Sequence, residues 1–369
     1  MKKQNKLDYP LLFIILALFA FGLAVLYSAS TVESYQNFGS TTYYIIHQVI
    51  YGGVIGLLLM YICSRIHYRV WLKYLPLFLI ISLLTLVLVK VPGIGFSSGG
   101  AARWILIGPL FFQPAELAKL VIVFYLAAWI DKKGHRLHDF YFGLLPSLLI
   151  VALFAAFILW QPDLGTMLIL VGTAFVMLFV GGARLKYFFW TIVCAALGLY
   201  GLVKLEPYRA RRLTAFLNPE LDPQGISYQI NQALLGIGAG GLWGYGYGLS
   251  RQKYHYLPEA LNDSIFAILG EELGFFRELI VLGLFLAFAL RGIKIAKAAP
   301  DNFGKMTAVG IVTWITLQAF INIAAMIGLV PLTGVPLPFF SYGSTSLLVN
   351  LAAMGVLLNI SRHAQLNRA

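Results

Sequence analysis

The sequence predicts an all-α fold, a polytopic membrane protein with about ten transmembrane helices, cytoplasmic N- and C-termini, and a large extracytoplasmic loop between helices 7 and 8. Composition is the first reason. Of 369 residues, 60% are hydrophobic and 11% charged, where a soluble domain has roughly a quarter charged, and no water-soluble fold hides that much apolar surface. Patterning is the second. Hydrocarbon offers no partner to bare backbone groups, so only helices or a closed barrel span it. Barrel strands alternate apolar and polar residues over about ten positions, whereas 11–26 and 164–180 are apolar on every face. The third is the placement of charge, which separates one end of the spans from the other.

Spans of about 20 apolar residues fall near 10–30, 45–63, 75–90, 113–130, 143–160, 164–182, 187–204, 265–290, 306–329 and 343–360. The first follows Lys2, Lys3 and Lys6 and resembles a secretory signal, but its apolar run is too long and further spans follow, so it is expected to remain as a helix. With the N-terminus inside, the basic residues within 2–6, 65–73, 132–136, 184–186, 291–305 and 362–368 all fall on the cytoplasmic side. They are 17 of the 27 Lys and Arg, as the positive-inside rule requires. An even span count returns the C-terminus to the same side. The chain reads as one transmembrane domain, 1–369, with 205–264 as its long outer loop. A net charge of +12 would suggest nucleic acid in a soluble protein, but here sidedness accounts for most of it and no nucleic-acid partner is expected. Cys63 and Cys194 sit in apolar spans far apart and read as packing residues, with neither a disulfide framework nor a metal site.

Ten basic residues remain that orientation does not explain: Lys90, Arg103, Lys119, Lys204, Arg209, Arg211, Arg212, Arg251, Lys253 and Arg277. Most lie in or beside the long loop, and long loops rich in charge, Gly and aromatics are where function concentrates. The other outer segments, 92–114, 161–165 and 331–344, are compact and rich in Gly and Pro. The asymmetry predicts an outward-facing site.

Ionisable groups at membrane depth are candidates by default, because an unpaired buried charge is costly. Glu116 and Lys119 are spaced i, i+3 after Pro114 and can pair as a structural lock; alternatively Lys119, with Arg103, meets a phosphate. Asp163, in Gln161-Pro162-Asp163-Leu164-Gly165, either caps the sixth helix or orients a cation or metal ion. Glu259 and Asp263 are spaced i, i+4; on a helix both carboxylates would share a face, repel one another, and make a general base plausible. The bland alternative is two solvated loop acids. Of Glu271 and Glu272, one is expected to face the bundle interior and pair with a base. The G-x-G-x-x-G match at 236–241 lacks a surrounding βαβ unit and reads as a flexible surface rather than a dinucleotide site. Gly52 and Gly56 point to close helix packing.

These motifs, in one order along nearly the whole chain, resemble the SEDS family (shape, elongation, division and sporulation) of polytopic peptidoglycan glycosyltransferases. The resemblance rests on Gly100-Ala101-Ala102-Arg103-Trp104-Ile105, Phe112-Gln113-Pro114-Ala115-Glu116-Leu117-Ala118-Lys119, the 161–165 run, Asp222-Pro223-Gln224-Gly225, Leu257-Pro258-Glu259 through Asp263 to Gly270-Glu271-Glu272-Leu273-Gly274, and 334–343. Ser250-Arg251-Gln252-Lys253 ahead of Tyr256-Leu257-Pro258-Glu259-Ala260 is closer to the division type than the elongation type. The chain departs from the family's His-Thr-Asp-Phe at Leu261-Asn262-Asp263-Ser264, keeping the acid. The resemblance implies polymerisation of lipid II at the outer face of the bacterial cytoplasmic membrane, with Asp263 as general base and undecaprenyl pyrophosphate as leaving group. It implies substrate-binding roles for Arg103, Glu116, Lys119, Asp163, Arg212, Glu259 and Ser341, with a divalent cation, Mg or Mn, as a conceivable aid and no other cofactor. Undecaprenyl-linked glycan, a class B penicillin-binding protein, other divisome proteins and membrane lipid are the implied partners. The rival readings are a lipid II flippase, for which Glu116, Lys119, Asp163, Gln318 and Asn322 would line a path, and a non-catalytic scaffold for a transpeptidase.

Overall fold

The computed structural model describes residues 7–364 apart from 99–100, 109 and all but a few positions between 185 and 224. The expected seventh span at 187–204 and Arg212 lie outside the described residues, as do Cys194 and most of the first half of the long loop. Elsewhere each apolar stretch is helical. In chain order the helices are α1 (Tyr9–Phe38), α2 (Tyr43–Arg65), α3 (Val70–Leu88), α4 (Pro114–Lys133), α5 (Phe140–Trp160) and α6 (Leu164–Val180), then α7 (Ile226–Gly240), α8 (Ile265–Leu273), α9 (Phe275–Ala298), α10 (Asn302–Met326) and α11 (Ser344–His363). Seven of them, α1, α2, α3, α5, α9, α10 and α11, are long and apolar enough to cross a membrane. The 17-residue α6 is apolar but shorter, and the 20-residue α4 carries a buried ion pair.

Lipid-facing and protein-facing helices are told apart by burial. Of an 18-residue apolar stretch in each, α11 has 83% buried, against 17% for α3, so α11 is the core of the bundle and α3 its rim. Large apolar side chains such as Phe13, Leu58, Ile80, Leu149 and Leu290 stay exposed on the outer helices, which is stable only where the solvent is itself apolar. Small residues let α2 lie directly on α11. A Cβ at Gly56 would meet Leu351 Cδ1 at 2.6 Å, and one at Gly355 would meet the Met60 carbonyl oxygen at 2.4 Å.

The all-α expectation needs three corrections. A three-stranded antiparallel sheet, β1 (Gly95–Ser98), β2 (Ala101–Ile107) and β3 (Leu110–Phe112), precedes α4; the glycines of this segment disfavour a helix, and strand pairing satisfies its backbone groups instead. The stretch at 236–241 is not a flexible surface but the end of α7, packed so tightly that a Cβ at Gly240 would meet the Gly270 carbonyl oxygen at 2.1 Å. Thirdly, the expected span at 265–290 is broken at Gly274, whose φ of +75° is open to glycine. The carbonyls freed by the break are satisfied from a distant segment, Tyr245 N donating to Glu271 O (3.0 Å) and Gly246 N to Glu272 O (3.0 Å), as broken helices at membrane depth require.

The connections sort to two ends. At one, Arg291 forks onto Asp8 (Nη2 to Oδ2, 2.8 Å), Arg69 reaches Asp301 (2.9 Å), and Tyr68 N donates to Asn359 Oδ1 (2.9 Å). All of these belong to segments expected inside. At the other end the sheet, the 161–165 turn, the 241–264 segment and the 331–343 loop come together, and the candidate site lies there.

Candidate active site

Asp263 sits at the end of a turn-rich, non-helical segment, 251–264. The expectation of a shared helical face for Glu259 and Asp263 is therefore corrected. Glu259 has a φ of +53°, and its carbonyl oxygen accepts from Asn262 N (3.0 Å) and Ser264 N (3.2 Å), closing a turn where a helix would have run on. Glu259 is exposed while Asp263 is 6% exposed. Gln229 of α7 aims its amide at this turn, Nε2 lying 2.9 Å from Ser264 Oγ and 3.4 Å from Asp263 Oδ1. From the opposite side the 331–343 loop clamps the same backbone. Tyr342 N donates to Leu261 O (2.8 Å), Ser341 Oγ donates to Asn262 O and accepts from Leu337 N (2.8 Å). Ser341 thus holds the loop that carries Asp263. Burial, with Tyr44 and Tyr43 beside it, pushes the Tyr342 phenol well above its ordinary range, so it remains neutral while bonded to His47 Nδ1 (3.0 Å).

The expected ion pair is present: Lys119 Nζ is 2.8 Å from Glu116 Oε1, both side chains buried. Lys119 also donates to Gln318 Oε1 (2.7 Å) and lies 5.0 Å from the Trp314 ring centroid. That geometry favours the lock over a phosphate contact for Lys119. Asp163 caps α6, its Oδ1 accepting from Thr166 N (3.0 Å) and its Oδ2 from Thr166 Oγ1 (2.8 Å). Gln113 Nε2 approaches Oδ2 at 3.4 Å, which ties that cap to the start of α4. Arg103 donates to the carbonyls of Gln161 (3.2 Å) and Pro162, so it braces the sheet against the 161–165 turn. Gly165 lies against the final loop, a Cβ there meeting Val335 Cγ2 at 2.4 Å. Arg103, Asp163, Ser341 and Asp263 are therefore parts of one contiguous end.

The described basic residues that orientation left unexplained have protein partners. Lys253 is buried on Glu272 (3.1 Å), whose carboxylate also accepts from Ser28 Oγ (2.6 Å) and Ser250 N (3.2 Å). Glu271 accepts from Arg251 N (3.0 Å) and Gln252 N (3.2 Å), docking 250–252 on α8. Arg277 donates to Trp243 O (2.6 Å) and Leu273 O (3.0 Å) across the helix break. Lys90 lies 5.8 Å from the Trp160 ring centroid and Arg251 5.5 Å from that of Tyr245. Among the described residues no three His, Cys, Asp or Glu side chains group to hold a metal ion.

Residues 9–366 match the family described as cell cycle protein, the FtsW, RodA and SpoVE group. This chain belongs to that family. Among its relatives are stage V sporulation protein E of Bacillus subtilis, 43% identical with 98% of this chain and 99% of the relative covered, and a probable peptidoglycan glycosyltransferase FtsW of Trichlorobacter lovleyi, 41% identical over 96% and 93%. In solved structures, the fold is shared with a chain from a peptidoglycan synthase complex that coordinates polymerization and crosslinking (TM-score 0.79, 27% identity, 96% of this chain and 98% of that one). It is also shared with the rod shape determining protein RodA of Thermus thermophilus (TM-score 0.72, 28% identity, 97% and 98%).

For a family member, the helix bundle was legible and the polar scaffold less so. Gln229 escaped sequence reasoning, and Lys253, Gln318 and Asn322 were singled out only as an unexplained cation and as lining of a transport path, not as supports of the site. Their partners lie 34, 19, 199 and 59 residues away in the chain, and no local spacing rule reaches that far. The one available signal was amide or ammonium groups inside otherwise apolar helices, and that signal names a residue without naming its partner.

Proposed function

We propose that the chain is an inverting peptidoglycan glycosyltransferase of the division type, joining lipid II units at the outer face of the bacterial cytoplasmic membrane. The observation that carries this is Asp263 itself: a carboxylate at the rim of the bundle, on a turn held from three sides by α7, α10 and the 331–343 loop. Such support keeps a base in place for a reaction whose geometry is demanding. Asp263 takes the proton of the acceptor sugar's 4-hydroxyl as that oxygen attacks C1 of the lipid-linked donor. The C1–O bond to pyrophosphate breaks, and undecaprenyl pyrophosphate leaves with the electron pair. Arg103 and Arg212 are the basic candidates for the departing charge; Glu259, exposed on the same segment, and Asp163 complete the proposed substrate-binding set, with Glu116, Lys119 and Ser341 acting as supports. The names of several relatives about 40% identical over nearly the whole chain, FtsW in each case, support the division type, beside a sporulation relative at 43%.

In the same reading the bundle has ten spans, the Asp8 and Asp301 end faces the cytoplasm, and a class B penicillin-binding protein supplies the crosslinking. Apart from Asp8, the buried charges among the described residues belong to the outer segments and the helix ends beside them, and the described outer cations are engaged by protein groups, which argues against a transport path through the full depth. Lipid II polymerisation by the purified chain, reconstituted with its penicillin-binding protein, tests the proposal. Glycan strands are expected from wild type and not from Asp263→Asn. No product from wild type sinks the enzyme reading, and equal product from the variant sinks the role of Asp263.

A further inference from the structure

Gln318 and Asn322 are spaced i, i+4 on one face of α10 and are buried, 0% and 1% exposed. Gln318 Oε1 accepts from Lys119 Nζ (2.7 Å) and Trp314 Nε1 (2.9 Å), so its amide nitrogen is forced toward Pro336 O, which it meets at 2.9 Å. One turn on, Asn322 Nδ2 donates to two carbonyls, Val335 O and Asp263 O, each at 2.7 Å. Both of its amide hydrogens are spent on main chain, and its Oδ1 is buried without a hydrogen-bond partner among the described residues. An orphaned buried acceptor costs stability. The fold tolerates that loss to keep two backbone segments, far apart in sequence, clipped to one side chain.

From this juxtaposition we propose that Asn322 is a positioning residue for Asp263, and that Glu116, Lys119 and Gln318 form the buried chain that fixes it. The Glu116–Lys119 pair sets which way the Gln318 amide points. Gln318 then pins Pro336, and Asn322 staples Val335 to the backbone of Asp263. The ion pair thereby reaches the backbone of the general base through four hydrogen bonds and the 335–336 peptide, with no need to touch substrate. The proposal rests on Asp263 being the base, and its test separates the two.

Asn322→Leu keeps the branched outline and removes both donors; Gln318→Glu keeps an acceptor for Lys119, puts an oxygen where the donor to Pro336 stood, and adds a carboxylate near Glu116. Lipid II polymerisation is measured per folded enzyme in the reconstituted complex, with kcat and KM resolved. Asn322→Leu is expected to lower kcat on the order of 10- to 100-fold, as displacement of a catalytic group does, while KM stays within about threefold of wild type. Gln318→Glu is expected to give a smaller kcat loss at the same KM, and it decides the matter if Asn322→Leu does not fold. Unchanged kcat in the folded variants, or a rise in KM alone, overturns the positioning role while leaving Asp263 as base. Activity surviving in Asp263→Asn overturns the base assignment instead.

Discussion

At the scale of single residues, what a side chain does here follows from what else is buried with it. Lys119 is 3% exposed and Glu116 1%. Removing one partner strands the other in a medium where an unpaired charge is untenable, so it must neutralise or draw in water. Breaking a buried pair in this way typically costs about 3–5 kcal/mol. Lys119→Met is therefore expected to lower the thermal unfolding midpoint of the purified protein in detergent by many degrees, and Glu116→Gln/Lys119→Met, which leaves no bare charge, to recover part of it. Equal midpoints for wild type and Lys119→Met would mean that the pair contributes nothing to the fold. The spacing of Glu116 and Lys119 revealed this pair from the sequence, because i, i+3 is a local rule. The role of Ser341 was not accessible in that way: its donor and acceptor contacts go to Leu337 N and to Asn262 O, and the second is set by loop docking alone.

Elements are held at their ends as much as along their length. Asp301 caps α10 by accepting from Gly304 N (2.8 Å) and gathers Tyr68 and Arg69 from the α2–α3 connection. Burial pushes its carboxyl up, but the hydrogen bonds from Tyr68 and Gly304 and the Arg69 guanidinium outweigh that and hold it below the usual carboxylate range. A group whose folded pKa is depressed contributes stability above its unfolded value, roughly pH 4, and loses it as pH falls through the folded value. The gap in thermal midpoint between wild type and Asp301→Asn should thus be open at pH 6 and narrow on acidification toward pH 3; a gap that is constant with pH would sink the charged-cap reading. Along their length, α2 and α11 touch through glycine. A side chain at Gly355 would also meet Cys63 Cβ at 2.8 Å, so Gly355→Val is expected to cost about 1–3 kcal/mol by overpacking. At Gly283 in α9 a Cβ meets nothing within 4 Å, and Gly283→Ala should leave the midpoint unchanged or raised. The Gly52 and Gly56 spacing disclosed this contact in the sequence. The break at Gly274 was hidden although Glu271, Glu272, Arg277 and Glu278 crowd it, because the groups that satisfy its freed carbonyls come from 245–246.

Across the whole molecule, the same asymmetry that set the expected orientation sorts the contacts of the folded chain. Apolar length fixed where helices run, since the bilayer leaves the backbone no alternative. Charge placement separated the two ends, and the pairs Asp8 with Arg291 and Asp301 with Arg69 join segments drawn from the same expected side. The small sheet before α4 was not legible, because β pairing over such short strands is decided by what lies beneath them. Sidedness then has a direct chemical consequence. Cysteines introduced at exposed positions of the site end, Glu259→Cys or Tyr254→Cys, should react with a membrane-impermeant maleimide in intact cells freed of their outer layers. Lys305→Cys and Arg69→Cys, at the opposite end, should react only after permeabilisation. The native Cys63 is buried, and Cys194→Ser removes the other background. If the labelling pattern inverts, the 17 basic residues assigned to the inner side would lie outside, the positive-inside assignment would fall, and Asp263 would face a compartment where assembled glycan cannot be delivered to the wall.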